Sequence, residues 1–238
     1  MNVSEFRSGV IRAVDEDTKT PISAYRIFQR ADGKRLVFYP VPKNANSSFK
    51  RLLAEYMGIH DRFEFFDDDA PMVDKRLYAK KDSDKDWLWN FLPPKPKFAF
   101  LDPAQISYRI AVARDPVERF FSAYKNRILW HKDEAFGGLT SNQVVDELEQ
   151  GNFENKHFLP QSYFLGASPA YFTHLSLMPD LSNVLDGVAE FFGQRIEMPR
   201  LQTRHGEADN SIDKDDRLIE RIRAVYSSDY EFIKSAQF

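Results

Sequence analysis

The sequence predicts a single α/β domain with a mainly parallel central sheet flanked by helices. Short apolar runs of strand type alternate along it with stretches of helical period. The length, 238 residues, suits one large domain. Its 42% hydrophobic content, including 21 Phe, supplies a core that needs no covalent cross-link. Residues 1–34 read as an N-terminal extension with a possible hairpin strand, and 35–238 as the α/β domain itself.

The elements follow in chain order. Ile22 to Gln29, a turn at Ala31-Asp32-Gly33-Lys34, and Leu36 to Val41 read as a hairpin. The loop Pro42-Lys43-Asn44-Ala45 leads into a helix with Phe49, Leu52, Leu53, Tyr56 and Met57 at offsets 0, 3, 4, 7 and 8. The charge runs within 67–86 and the stretch 206–216 read as solvated loops, and Pro93-Pro94-Lys95-Pro96 as a rigid connector. Phe98 to Leu101 and Tyr108 to Ala113 have the continuous apolar character of buried strands. A helix starts at Pro116, with Val117, Phe120, Phe121, Tyr124 and Ile128 on one stripe. Val184, Leu185, Val188, Phe191 and Phe192 repeat that spacing, as do Leu218, Ile219, Ile222, Val225 and Tyr226. In a fold of this type, ligands bind at the carboxyl ends of the strands.

Composition excludes several function classes. With no cysteine there is no disulfide framework, thiolate nucleophile, iron–sulfur cluster or cysteine-based zinc site. The 33 Lys+Arg and 36 Asp+Glu leave a net charge of -3, so no global basic field collects nucleic acid. The N-terminus lacks the apolar run of a signal peptide or membrane anchor, and the expectation is a cytoplasmic protein without an integral membrane segment.

Two strand-to-helix junctions carry the chemistry. The first is Pro42-Lys43-Asn44-Ala45-Asn46-Ser47-Ser48. A helix N-terminus presents unpaired N–H groups and partial positive charge, a ready anion site. Here it also has one lysine and two adjacent hydroxyls. A simple cap at Asn46 or Ser47 is the competing reading. The loop has no glycine, and its lysine lies four residues before the first hydroxyl, so it is not a Walker phosphate loop. The second junction runs from Tyr108 to Tyr124. Asp115 suits the N-cap, Pro116 the first helical position and Glu118 the third, which makes these three structural. Arg114 ends an apolar strand beside a helix start, where a guanidinium can fork onto a phosphate or form a salt bridge. Ser122 lies off the apolar stripe, facing either the same pocket or solvent.

Together these junctions resemble the sulfotransferases that use 3′-phosphoadenosine 5′-phosphosulfate, in particular the carbohydrate sulfotransferase branch. That family carries P-K-x-x-x-[ST]-[ST] after its first core strand and R-D-P-x-x-R-x-x-S-x-[YF] at a later one. The sequence matches both, at Pro42 to Ser48 and at Arg114 to Tyr124. His157-Phe158-Leu159-Pro160-Gln161 is similar to an H-x-x-P-Q segment of the carbohydrate relatives, and Ile222 to Glu231 to the family's last helix. The likeness spans about Leu36 to Phe232, leaving 1–34 and 67–86 unmatched.

The resemblance implies a P-loop-like nucleotide-binding sulfotransferase fold. It implies that Lys43 stabilises charge on the departing phosphate and that the loop Lys43, Asn44, Ala45, Asn46, Ser47 and Ser48 holds the 5′-phosphosulfate. Arg114 and Ser122 would bind the 3′-phosphate, and Arg200 or Arg204 would close over the cofactor. Gly206, after Arg204-His205, is weakly similar to a basic-glycine nucleotide contact of cytosolic members. The reaction implied is in-line sulfuryl transfer to an acceptor hydroxyl on a carbohydrate or glycoconjugate, releasing adenosine 3′,5′-bisphosphate and needing no metal. His157 is the expected general base among His60, His131, His157, His174 and His205, with carboxylates as rivals. Trp87, Trp89, Phe91, Trp130 and Phe136 either stack on a sugar or belong to the core. A nucleotide-dependent kinase and a non-catalytic nucleotide- or glycan-binding relative are the alternatives.

Overall fold

A computed structural model describes residues 6–14, 21–30, 32–56, 63–64, 78–79, 104, 106–198, 215–236 and 238. Strands β1 (Phe6–Val14), β2 (Pro21–Arg30) and β3 (Arg35–Tyr39) lead into helix α1 (Asn46–Tyr56). A two-residue ladder, β4 (Phe63–Glu64) with β5 (Tyr78–Ala79), precedes β6 (Tyr108–Ala113). Helix α2 (Pro116–Ala123) continues as a wider, π-type turn over Tyr124–Trp130. Then come α3 (Ser141–Glu149), the short α4 (Ser162–Leu165), β7 (His174–Leu177) and α5 (Ser182–Phe192). Helices α6 (Asp216–Val225) and α7 (Ser227–Ser235) close the described chain.

The main sheet has the order β1-β2-β3-β6-β7. Its β3-β6-β7 part is parallel, and β2 and β1 extend it antiparallel at one side. The expected β2–β3 hairpin is present, with Ile27 opposite Val37 and Gln29 opposite Arg35. Gly33 takes φ 85° in its turn, a left-handed conformation that costs glycine little. In the parallel part Leu36 lies opposite Tyr108 and Tyr39 opposite Ala111, so β3 and β6 end side by side.

Both faces of β3 and β6 are covered, which explains their continuous apolar runs. Leu36, Phe38, Tyr108, Ile110 and Val112 face α1 and α5, packing with Phe49, Leu52, Leu53, Val188, Phe191 and Phe192. Val37, Tyr39, Ala111 and Ala113 face the other way, onto Phe164, Leu165, Tyr171, Phe172 and Phe232. A third cluster packs α2 and its π turn on α3 and α6 through Phe120, Tyr124, Val144, Leu148, Leu218 and Ile222. Gly187 lets α5 close on β7, since a Cβ there would lie 2.5 Å from the His174 ring.

The helical stripes read from Phe49, Val117 and Val184 all form helices. The C-terminal stripe ends in a break at Tyr226, and a separate helix follows. The buried-strand reading of Phe98–Leu101 lies outside the described residues, as do the proline connector and most of the charged stretch 67–86.

Candidate functional site

The two junctions meet because β3 and β6 are parallel neighbours. Each strand delivers its loop and following helix N-terminus to the same sheet edge.

The first loop is tight although it has no glycine. Lys43 (φ 72°) and Ala45 (φ 55°) both take the left-handed conformation, unusual for residues bearing a Cβ. Such strain persists only where the surroundings hold it, and it concentrates at functional sites. Asn44, buried between them, does the holding. Its Nδ2 donates to Val112 O at 2.7 Å and to Gln161 Oε1 at 2.6 Å. Ser48 is buried and Ser47 half-buried in the first turn of α1. The Asn44 and Asn46 Oδ1 atoms are buried without a hydrogen-bond partner.

In the second junction the helix-start grammar is realised. Asp115 accepts from Glu118 N at 2.9 Å, and Pro116 opens α2. Arg114 is half-buried, and its Nη1 donates to Lys43 O at 3.1 Å, joining the two loops directly. It also touches the exposed Glu118 at 3.4 Å. Such an exposed ion pair contributes little.

Among the described residues, Arg119 is one of the largest fully buried side chains. Its Nε donates to Pro42 O at 3.0 Å and its Nη2 to His157 O at 3.3 Å. It therefore ties the first loop, α2 and the His157 segment together. Burial pushes its pKa down, opposed by Tyr226 and Asp229. Gln161 is the second tie. Its Oε1 accepts from Arg114 N at 2.9 Å and its Nε2 donates to Arg114 O at 2.8 Å. Its own backbone N–H, with that of Ser162, donates to the buried Asp229 carboxylate on α7 at 2.8 and 2.9 Å.

The electrostatics are lopsided. Burial, then Arg114, Arg127 and Arg119, lowers the Lys43 ammonium to about 7. Burial, then Arg127, Lys43, Lys156 and Arg119, holds His157 well below the ordinary histidine value, so its ring is neutral at neutral pH. His157 Nδ1 lies 3.0 Å from Asn155 Oδ1. Concentrated positive charge on a half-buried lysine favours an anionic ligand.

The structure thus gathers Lys43, Asn44, Ala45, Asn46, Ser47, Ser48 and Arg114 at one edge, with His157 within electrostatic reach of Lys43. Ser122 is half-buried on α2, one turn after Glu118. Arg200, Arg204, His205 and Gly206 lie outside the described residues, as do His60, Trp87, Trp89 and Phe91. Of the two described aromatic candidates, Phe136 belongs to the core and Trp130 is half-buried. Sequence reasoning gave no role to Arg119, Gln161 or Asp229. Both Arg119 and Gln161 stand at fixed positions of the matched segments, as the second arginine of R-D-P-x-x-R and the glutamine of H-x-x-P-Q, and Arg119 also flanks the Phe120–Phe121 stripe. Among the described residues no group of His, Asp and Glu is arranged to hold a metal, and no helix is long and apolar enough to cross a membrane.

Among known proteins, a family model described as "Sulfotransferase family" matches residues 26–234, most of the chain. No curated protein and no solved structure matches it.

Proposed function

The chain belongs to the sulfotransferase family, a family of transferase enzymes, and on that premise we propose that it moves a sulfuryl group from 3′-phosphoadenosine 5′-phosphosulfate to a carbohydrate or glycoconjugate hydroxyl. The observation that carries this reading is the junction pair. Lys43, the serines at the start of α1 and Arg114 converge at adjacent strand ends, and Arg114 donates to Lys43 O at 3.1 Å.

The residues fit a polyanion. Burial first, and then cations alone among the charged neighbours, lower both Lys43 and His157. Asn44 Oδ1 and Asn46 Oδ1 are acceptors without donors. Asn44 is fixed by its two Nδ2 bonds. The Asn46 amide, turned over, presents its N–H₂ to an oxyanion in nearly the same space.

The cofactor supplies an activated sulfuryl group on a phosphate leaving group. Lys43 places an ammonium where negative charge grows on that phosphate. Ser47, Ser48 and the first N–H groups of α1 hold the 5′ end, with Asn44, Ala45 and Asn46 shaping the loop. Arg114 and Ser122 take the 3′-phosphate, and Arg200 or Arg204, outside the described residues, is the candidate for a further contact to the cofactor. His157 would accept the proton of the acceptor hydroxyl, and the bound donor would supply the sulfuryl group together with its phosphate leaving group. Positioning and charge do the rest, so no divalent cation is required. The cysteine-free composition supports a cytoplasmic location.

The test is transfer of labelled sulfate from the phosphosulfate donor to a panel of carbohydrates, with and without EDTA. Transfer that survives EDTA is expected, and Lys43→Ala abolishes it. Activity lost to EDTA and restored by a divalent cation contradicts the metal-free scheme. Binding of ATP–magnesium but not of the bisphosphate points to a kinase, and bisphosphate binding without transfer to a non-catalytic relative.

A further inference from the structure

We propose that Asn155, oriented by Asp133 and Arg127, locks His157 as the Nδ1–H tautomer and so aims the Nε2 lone pair at the acceptor hydroxyl. This rests on the reading of His157 as the general base, and it names three positioning residues for that role.

The chain of contacts runs one way. Asp133 Oδ1 accepts from Arg127 Nη2 at 2.6 Å, and Oδ2 from Arg127 Nε at 2.6 Å. A carboxylate paired in this manner with a guanidinium is an acceptor only. Asn155 meets the same Oδ2 at 2.9 Å, so the end of its amide that faces Asp133 is the N–H₂ donor. Its carbonyl end therefore faces His157. A second contact fixes that end independently: the His157 backbone N–H donates to Asn155 Oδ1 at 3.1 Å. The ring atom 3.0 Å from the same oxygen is Nδ1, and an acceptor oxygen requires it to carry the proton. In a neutral imidazole Nε2 is then the acceptor.

The supports are rigid. Arg127 lies in the π-type turn after α2, and Asp133 N donates to Arg127 O at 2.9 Å, folding the aspartate back onto its own guanidinium. Asn155 is buried, and Arg119 Nη2 donates to His157 O at 3.3 Å. The cations felt by the ring come from the first loop (Lys43), α2 (Arg119), the π turn (Arg127) and its own segment (Lys156), and all disfavour an imidazolium. The ring thus waits neutral. An orienting amide, unlike a carboxylate, sets its tautomer without adding negative charge beside the anion site.

The test reads the tautomer directly. Full-length protein labelled with ¹⁵N-histidine gives long-range proton–nitrogen spectra, in which His157 is identified by its loss in His157→Gln. At neutral pH a protonated Nδ1 and an unprotonated Nε2 are expected. Asn155→Ala shifts the ring toward Nε2–H and lowers kcat about 10-fold, part of the ~10²–10⁴ a positioned base supplies, with the donor KM unchanged. The exchange Asp133→Asn with Asn155→Asp keeps an acceptor on Nδ1 and recovers both readouts, which a purely structural role does not predict. Nε2–H in the wild-type spectrum, or a tautomer and kcat insensitive to Asn155→Ala, overturns the inference while leaving the transferase reading intact. Wild-type turnover in His157→Gln overturns the base assignment on which it rests.

Discussion

Lys43 carries a charge that its surroundings oppose. Burial and three arginines bring its ammonium to about 7, so near neutrality the free protein holds it only partly protonated. A bound polyanion pulls the other way and favours the charged form. Binding therefore takes up a proton, and bisphosphate affinity falls as pH rises through about 7. Calorimetry in buffers of differing ionisation enthalpy measures that uptake, and Lys43→Arg, permanently charged, removes it. Stability follows the same linkage. Between about 7 and the ordinary lysine value of 10.5 the folded state binds fewer protons than the unfolded chain. Stability of the free protein thus rises with pH across that window. The placement of Lys43, Ser47, Ser48 and Arg114 at strand ends and a helix start was legible in the sequence, because a buried strand, a polar loop and a helix start follow one another there. The ties made by Arg119 and Gln161 were not. Their partners are largely backbone groups, Pro42 O and His157 O for one and Arg114 N and O for the other, and a sequence does not show where a carbonyl points.

At the scale of elements, the site is two helix starts held in register by a third segment. Gln161 bonds Asn44 and Arg114 at once, and Asp229 on α7 fixes the Gln161 backbone. Gln161→Ala leaves buried donors and acceptors at both loops unpaired, at ~1–3 kcal/mol for each such group. The expected result is a lower Tm together with bisphosphate binding weakened about 10-fold, whereas Asp229→Asn lowers Tm more than it weakens binding. A binding constant unmoved in Gln161→Ala would show that the two loops need no common tie. The helices headed by Phe49, Val117 and Val184 were legible from period alone, since their stripes pack onto the core, whereas α3 (Ser141–Glu149) and the short α4 were not read from the sequence. The π-type turn at Tyr124–Trp130 was not, because Tyr124 and Ile128 suit an ordinary helix equally well. The break at Tyr226 is set by tertiary contacts. Its ring is fully buried and its hydroxyl donates to Phe158 O at 2.6 Å.

On the scale of the whole molecule, a net charge of -3 surrounds a positive site. Attraction of a polyanion is then local, and its salt dependence reflects the few cations at the strand ends rather than the surface as a whole. The α/β class was legible from alternation, and the parallel β3-β6-β7 core bears it out. The antiparallel β1 was not foreseen, because the sequence before Pro21 has no clear strand period. The most direct measurement is titration of the full-length protein with adenosine 3′,5′-bisphosphate, beside ATP–magnesium and the Arg114→Ala variant. A site built as described binds the bisphosphate in preference to ATP–magnesium and loses about 10-fold or more in Arg114→Ala, the ~1.5–3 kcal/mol of a charge-assisted hydrogen bond. Equal bisphosphate affinity in wild type and Arg114→Ala, or a preference for ATP–magnesium, would contradict it.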